Sequence, residues 1–170
     1  MLDQLVLKGY GVAELFNQDD ELIRVVQFEN LITDAGDLYI AQKIITGISP
    51  ANPSAPTAMT GMKLGTGATA AAKSGAGGAL VTYLSGSNVT FDATYPQTAN
   101  LGAGLGVNAV YRCTWAAGVA TNGAITEVVI VNDAATNATS TAGNTASRAL
   151  FGSAIDRKST RLNSSHANIS

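Results

Sequence analysis

Val107-Asn108-Ala109-Val110-Tyr111-Arg112-Cys113-Thr114-Trp115, with Ile125-Thr126-Glu127-Val128-Val129-Ile130-Val131 after it, decides the fold class. In the first stretch Val107, Ala109, Tyr111, Cys113 and Trp115 alternate with Asn108, Arg112 and Thr114, and Val110 is the one apolar residue of the outer set. That is the period of a half-buried strand. The second stretch is apolar on both faces, as a central strand would be. Around these two, Met59 to Leu64, Ala79 to Leu84, Val89 to Ala93 and Arg148 to Phe151 read as further strands, separated by Gly, Asn, Ser and Thr. A parallel sheet needs crossover helices, and the sequence offers only one. The expected class is therefore mainly β: an antiparallel β-sandwich, or a barrel-like sheet, with one α-helix near residues 34–46.

That helix opens at Thr33 or Asp34, either of which caps exposed backbone N–H groups, and Asp37 suits the positive end of the dipole. Leu38, Ala41 and Ile45, joined by Ile40 and Ile44, make a broad apolar stripe expected to face the core. Beyond Gly47 the run Ser49-Pro50-Ala51-Asn52-Pro53-Ser54-Ala55-Pro56-Thr57 removes backbone donors and fixes φ, which makes it a linker-like loop.

Residues 11–30 read as a hairpin: Val12 to Phe16, the turn-rich Asn17-Gln18-Asp19-Asp20, then Glu21 to Phe28. Leu22, Val26 and Phe28 share one face with Arg24, while Ile23, Val25 and Gln27 share the other. A strand apolar on both faces is covered twice, or its outer face meets a neighbouring subunit. Phe16, Ile23 and Val25 are the candidate interface anchors.

Composition narrows the function classes. The 170 residues carry 10 Lys+Arg against 12 Asp+Glu, a net charge of −2, and only 13% are charged. A mildly acidic chain lacks the clustered cations that displace counterions from a nucleic-acid backbone. One cysteine, Cys113, excludes a disulfide scaffold. No apolar run approaches the ~20 residues of a membrane-spanning helix, and Met1 to Leu7 does not read as a signal peptide. The length suits one domain, assigned to residues 1–155.

Residues 156–170 stand apart. Asp156-Arg157-Lys158-Ser159-Thr160-Arg161-Leu162-Asn163-Ser164-Ser165-His166 resembles the translation of a common short-read sequencing-library adapter, and Ala167 to Ser170 fits its index and continuation. The segment is expected to be artefactual, or otherwise a disordered tail. It holds the sole histidine, His166, three basic residues and one acid. Setting it aside leaves 7 basic against 11 acidic groups, a net charge of −4, and no histidine for a triad or a metal site.

The motif-like stretches read blandly. Gly67-Ala68-Thr69-Ala70-Ala71-Ala72-Lys73-Ser74 departs from a phosphate-binding loop at Ala72, and the Gly-rich 75–78 that follows is a poor helix start, so a Gly/Ala loop is expected. Gly102-Ala103-Gly104-Leu105-Gly106 precedes a strand rather than a helix and reads as a turn. Asp19-Asp20-Glu21 reads as a solvated turn rather than a cation site. Glu127 and Asp92, the best interior acids, are embedded in strand pattern and read as solvated or edge positions. Cys113, flanked on its face by Tyr111 and Trp115, reads as a buried inert thiol beside core aromatics. Catalytic, cofactor and metal sites are all read as none.

Three stretches in order carry a resemblance: Asn30-Leu31-Ile32-Thr33-Asp34-Ala35-Gly36 running into Ile40-Ala41, Met62-Lys63-Leu64-Gly65-Thr66-Gly67-Ala68-Thr69-Ala70-Ala71, and Gly123-Ala124-Ile125-Thr126-Glu127-Val128. Over residues 28–133 the chain resembles small bacteriophage virion proteins of the tail-fibre, head-decoration or neck type. Loop 49–57 and segment 96–108 depart from the pattern. The resemblance implies a non-enzymatic virion structural protein, assembled in a bacterial host's cytoplasm through contacts with other virion proteins and with copies of itself, and requiring no cofactor, nucleic acid or membrane. The alternative is a receptor- or glycan-binding module of a tail fibre, reading a host-surface glycan through loops 49–57, 66–78 and 96–106. A glycan hydrolase would need paired carboxylates in a groove, and the sequence has few acids to pair.

Overall fold

The computed structural model describes residues 8–45, 56–103, 107–121, 124–156 and 161–167, the last as backbone with the side chain of Leu162. The chain folds as a curled, half-barrel antiparallel sheet with one α-helix, as the sequence leads one to expect. Its strands are β1 (Gly9–Phe16), β2 (Leu22–Ile32), β3 (Gly61–Gly65), β4 (Val89–Thr90), β5 (Gln97–Asn100), β6 (Val107–Trp115), β7 (Ile125–Val131), β8 (Thr145–Ile155) and β9 (Arg161–Ala167), with α1 (Asp34–Ile44) between β2 and β3. Across the sheet the order is β4-β3-β7-β8-β2-β1-β9-β6-β5.

The hairpin forms where expected, with Glu14 opposite Val25 and a register shift at Leu15/Phe16. Asn17 closes its turn: the side-chain oxygen accepts from the backbone N–H of Asp19 and of Glu21, both at 2.9 Å. An Asx-type turn of this kind needs no bound cation to hold its acids in place. β2 then pairs with β8 only over Asn30 to Ile32. Past that point the two strands diverge, and the sheet folds into two leaves around the core.

Between the leaves lie Leu15 and Phe28 from one side, and Met62, Leu64, Val128, Ile130 and Phe151 from the other. Phe28 and Phe151 meet edge to face, with centroids 5.0 Å apart. The far ends of the sheet approach each other where residues 91–92 cross over: the Phe91 N–H donates to the Thr60 carbonyl and the Asp92 N–H to the Arg112 carbonyl. Trp115 is fully buried and its indole N–H donates to the Ser87 carbonyl at 2.6 Å.

Several expectations are corrected. Residues 79–84 form no strand; only Tyr83 bridges to Gly65, because the Val81 and Thr82 N–H groups turn inward to a carboxylate. The final strand runs well beyond Arg148–Phe151 in both directions, and β5 arises in the Gly/Asn segment read as loop. Thr33 does cap α1, accepting from the Gly36 N–H. The helix stripe, however, does not face the core: Ala41 is exposed, Ile44 is 70% exposed, and Gly36 is the buried residue. Close approach explains this, since a Cβ at Gly36 would lie 2.1 Å from the Ala146 carbonyl oxygen. In β6 the inward alternation holds at Cys113 and Trp115 but inverts at Val107, exposed, and Asn108, buried.

Part of the segment expected to be an adapter-coded or disordered tail is placed as β9, between β1 and β6. Backbone ladders are indifferent to the origin of the codons, and Leu162 supplies the apolar side chain that the core position needs. Of the loop 49–57, residues 49–55 lie outside the described residues, as do Gly104 to Gly106.

Candidate functional site

Two features compete for a functional role: a buried charged cluster on the outer side of β3, β7 and β8, and an exposed apolar face on the β1–β2 hairpin.

Successive residues of a strand point to opposite faces. In β7 this sends Val128 and Ile130 into the core, and Glu127, Val129 and Val131 outward. The outward set is not in solvent. Loops from 66 to 87 and from 133 to 144 fold over it, with Leu80, Ala134 and Tyr83 packing on Val129 and Val131. Three ionisable side chains are trapped beneath them: Lys63, Glu127 and Arg148, each fully buried. The reading of Glu127 as a solvated or edge residue is therefore overturned, because the sequence pattern of a strand does not reveal which loops will cover its outer face.

Each trapped charge is compensated. Glu127 Oε2 lies 2.9 Å from Arg148 Nη2 and accepts from Arg148 Nε at 2.9 Å. Its carboxylate also accepts from three backbone N–H groups, those of Gly67 (3.0 Å), Val81 (3.2 Å) and Thr82 (2.9 Å). Arg148 donates onward to the Gly77 carbonyl. Lys63 pairs with Asp133 at 3.2 Å and donates to the Ala138 carbonyl at 3.0 Å, beneath the Tyr83 ring. Arg148 Nη2 makes no hydrogen bond of its own, but charges paired with each other and with loop backbone in this way anchor the loops.

The three motif stretches are explained by this packing. A Cβ at Gly65 or Gly67 would lie 2.5 Å from Glu127 Oε1, so the Gly-Thr-Gly turn is the seat of the Ile-Thr-Glu carboxylate. Thr126 locks the same pair, donating to the Gly67 carbonyl at 2.7 Å. The first stretch, Asn30 to Gly36, clips to β8: Asn30 donates to Ser147, and Thr33 to the Thr145 carbonyl. The N–H group a phosphate loop would offer at Gly67 is thus already committed to a carboxylate, and only a single 3-10 turn, Gly75–Gly78, follows that loop in place of an α-helix. Lys73 is instead paired with Asp37 at the surface.

Asp92 accepts from Arg112 Nε at 2.7 Å and from the Thr114 hydroxyl at 2.8 Å, and the Arg112 guanidinium sits 5.0 Å over the Tyr95 ring. Cys113 is buried, its S–H directed at the Thr90 carbonyl at 3.4 Å, and burial pushes its thiol well above the ordinary value, with the nearby Asp92 charge adding to the rise. A cavity of about 30 Å³ under α1, lined by Tyr39, Tyr111 and Met59 among others, contains no carboxylate. An open recess of about 510 Å³ beside Lys8, Tyr10 and Lys73 contains one, Glu29.

The hairpin face differs. Ile23 is 54% exposed and Val25 48%, with Leu22 and Tyr10 also exposed. Of the three anchors expected from sequence, Ile23 and Val25 stand out in solvent and Phe16 is half-buried on β1, opposite Leu22. Sequence reasoning missed Tyr10 and Leu22: Leu22 had been grouped with the inward residues, and the register shift after Leu15 is what turns it out.

Among the described residues no helix is long and apolar enough to cross a membrane, and no group of three or more His, Cys, Asp or Glu gathers as a metal site would require. No family model, curated protein or solved structure matches the chain.

Proposed function

We propose that the chain is a non-enzymatic structural subunit of a bacteriophage virion, a capsid-decoration, neck or tail component that works by assembling with copies of itself and with other virion proteins. The observation carrying this reading is the exposed apolar set Leu22, Ile23 and Val25 at the turn end of β2, with Tyr10 exposed at the other end of the hairpin. Large aliphatic side chains grouped on a sheet face lose stability by facing water, about 25 cal/mol for each Å² of apolar surface, and burial against a neighbour recovers it. The buried charges support the same reading, since each is used to hold a loop. The sequence resemblance to virion proteins supplies the biological setting.

A receptor- or glycan-binding module has less support. Tyr95, which borders loop 96–106 in sequence, already has the Arg112 guanidinium over its ring.

Sedimentation of the full chain across a concentration series tests the proposal. The expected result is an oligomer that Ile23→Glu dissociates; a monomer at every concentration, or a mass unmoved by Ile23→Glu, overturns it.

A further inference from the structure

We infer that the outer face of the β1–β2 hairpin, around Tyr10, is a binding groove for a neutral oligosaccharide. Successive residues of a strand alternate in face, and directly opposed residues of an antiparallel pair share one. The register sets Tyr10 opposite Glu29 and Val12 opposite Gln27, so these four gather on one face. It is the outer face, because Phe28, between Gln27 and Glu29, is buried in the core. Two recesses follow one another along it, of about 510 and 490 Å³, and Tyr10 and Glu29 line both. Lys8 and, from loop 66–78, Lys73 complete the first. Each recess has the size of a small-ligand site, and the groove is built from β1, β2 and that loop, all within residues 1–155.

The lining selects the ligand. Tyr10 is 47% exposed, and a ring so placed offers an apolar platform with a polar tip. Around it Lys8 and Lys73 donate hydrogen bonds, Glu29 accepts and Gln27 does both. A molecule that meets them all presents apolar C–H faces beside closely spaced groups that both donate and accept, which is the pattern of a sugar ring and its hydroxyls. Charge agrees. Lys73 is paired with Asp37 and Lys8 is offset by Glu29, so the groove holds no surplus charge for an ionic ligand. Lys8, Gln27 and Glu29 are exposed, and among the described residues no hydrogen bond or ion pair engages their side chains. The large aliphatic side chains that a protein partner would bury lie elsewhere, at the turn end of the hairpin: Val25 is four residues, about 13 Å, along β2 from Glu29. The inference goes beyond the assembly reading and does not rest on it.

Saturation-transfer NMR titrations of the full chain with soluble neutral oligosaccharides, built from glucose, galactose, mannose and N-acetylhexosamines, test the groove. Soluble sugars report one site at a time, so avidity from an oligomer does not enter. At least one sugar is expected to bind, Tyr10→Ala to weaken it roughly tenfold, as loss of one stacked ring does, and Tyr10→Phe to restore it. Glu29→Gln keeps the side-chain shape and removes an ionised acceptor, and it should weaken the same sugar with the fold intact. Val25→Glu should leave sugar binding unchanged even where it dissociates the oligomer, which separates failure of this inference from failure of the assembly reading. Absence of binding to every sugar, binding indifferent to both Tyr10→Ala and Glu29→Gln, or binding lost with Val25→Glu overturns the groove.

Discussion

Glu127 and Arg148, twenty-one residues apart on adjacent strands, form a fully buried ion pair that also gathers three loop N–H groups and a loop carbonyl. Loop 66–82 is therefore held by charge as well as by contact. Buried pairs contribute little over apolar substitutes, but removal of one partner strands the other charge.

Glu127→Ala is accordingly expected to destabilise the fold by roughly 3–5 kcal/mol, the usual range for an orphaned buried charge. Urea denaturation measures this. Glu127→Leu with Arg148→Met should recover part of the loss, and a single substitution costing under about 1 kcal/mol would contradict the clasp.

Gly67→Ala places a Cβ 2.5 Å from Glu127 Oε1. The expected cost is about 1–3 kcal/mol, as for overpacking a filled site, with amide exchange at Val81 and Thr82 accelerating as their acceptor moves. Gly86→Ala supplies the contrast, because its Cβ meets nothing within 4 Å and its cost comes only from a φ of +76°.

Val25→Glu should leave the thermal midpoint of the dissociated chain within a few degrees of the unsubstituted one, because exposed sites shift stability by about ±0.5 kcal/mol, while lowering the sedimenting mass. Loss of the folded signal instead would show that Val25 packs within the subunit.

Stability should fall in alkali. The Cys113 thiol is raised in the folded state above its ordinary 9.0, so its contribution is fully present below that pH. Above it the unfolded chain releases the proton first, and stability declines by up to about 1.4 kcal/mol per pH unit. Tyr111, also raised by burial and by neighbouring Tyr39, adds to the decline above 10.0. Urea titrations at several values between pH 7 and 11 read the slope, and Cys113→Ala should flatten its first part.

The sequence by itself determined the elements whose chemistry is local. Alternation in Tyr111 to Trp115, two-faced apolarity in Ile125 to Val131, the Asn-Asp turn after Phe16 and the Thr33 cap each depend on residues within a few positions, and they yield the antiparallel class with one helix. Tertiary structure alone decided which outer faces are wet. Glu127 and Ile23 both take outward positions on their strands, yet the acid is sealed under loops and the isoleucine stands in solvent. Side-chain period tells which face a residue takes, whereas burial depends on what the rest of the chain lays over that face. For Glu127 that cover is drawn from residues 67–82, and its backbone N–H groups, identical in every sequence but proline, carry no signature that a reading of side chains could find.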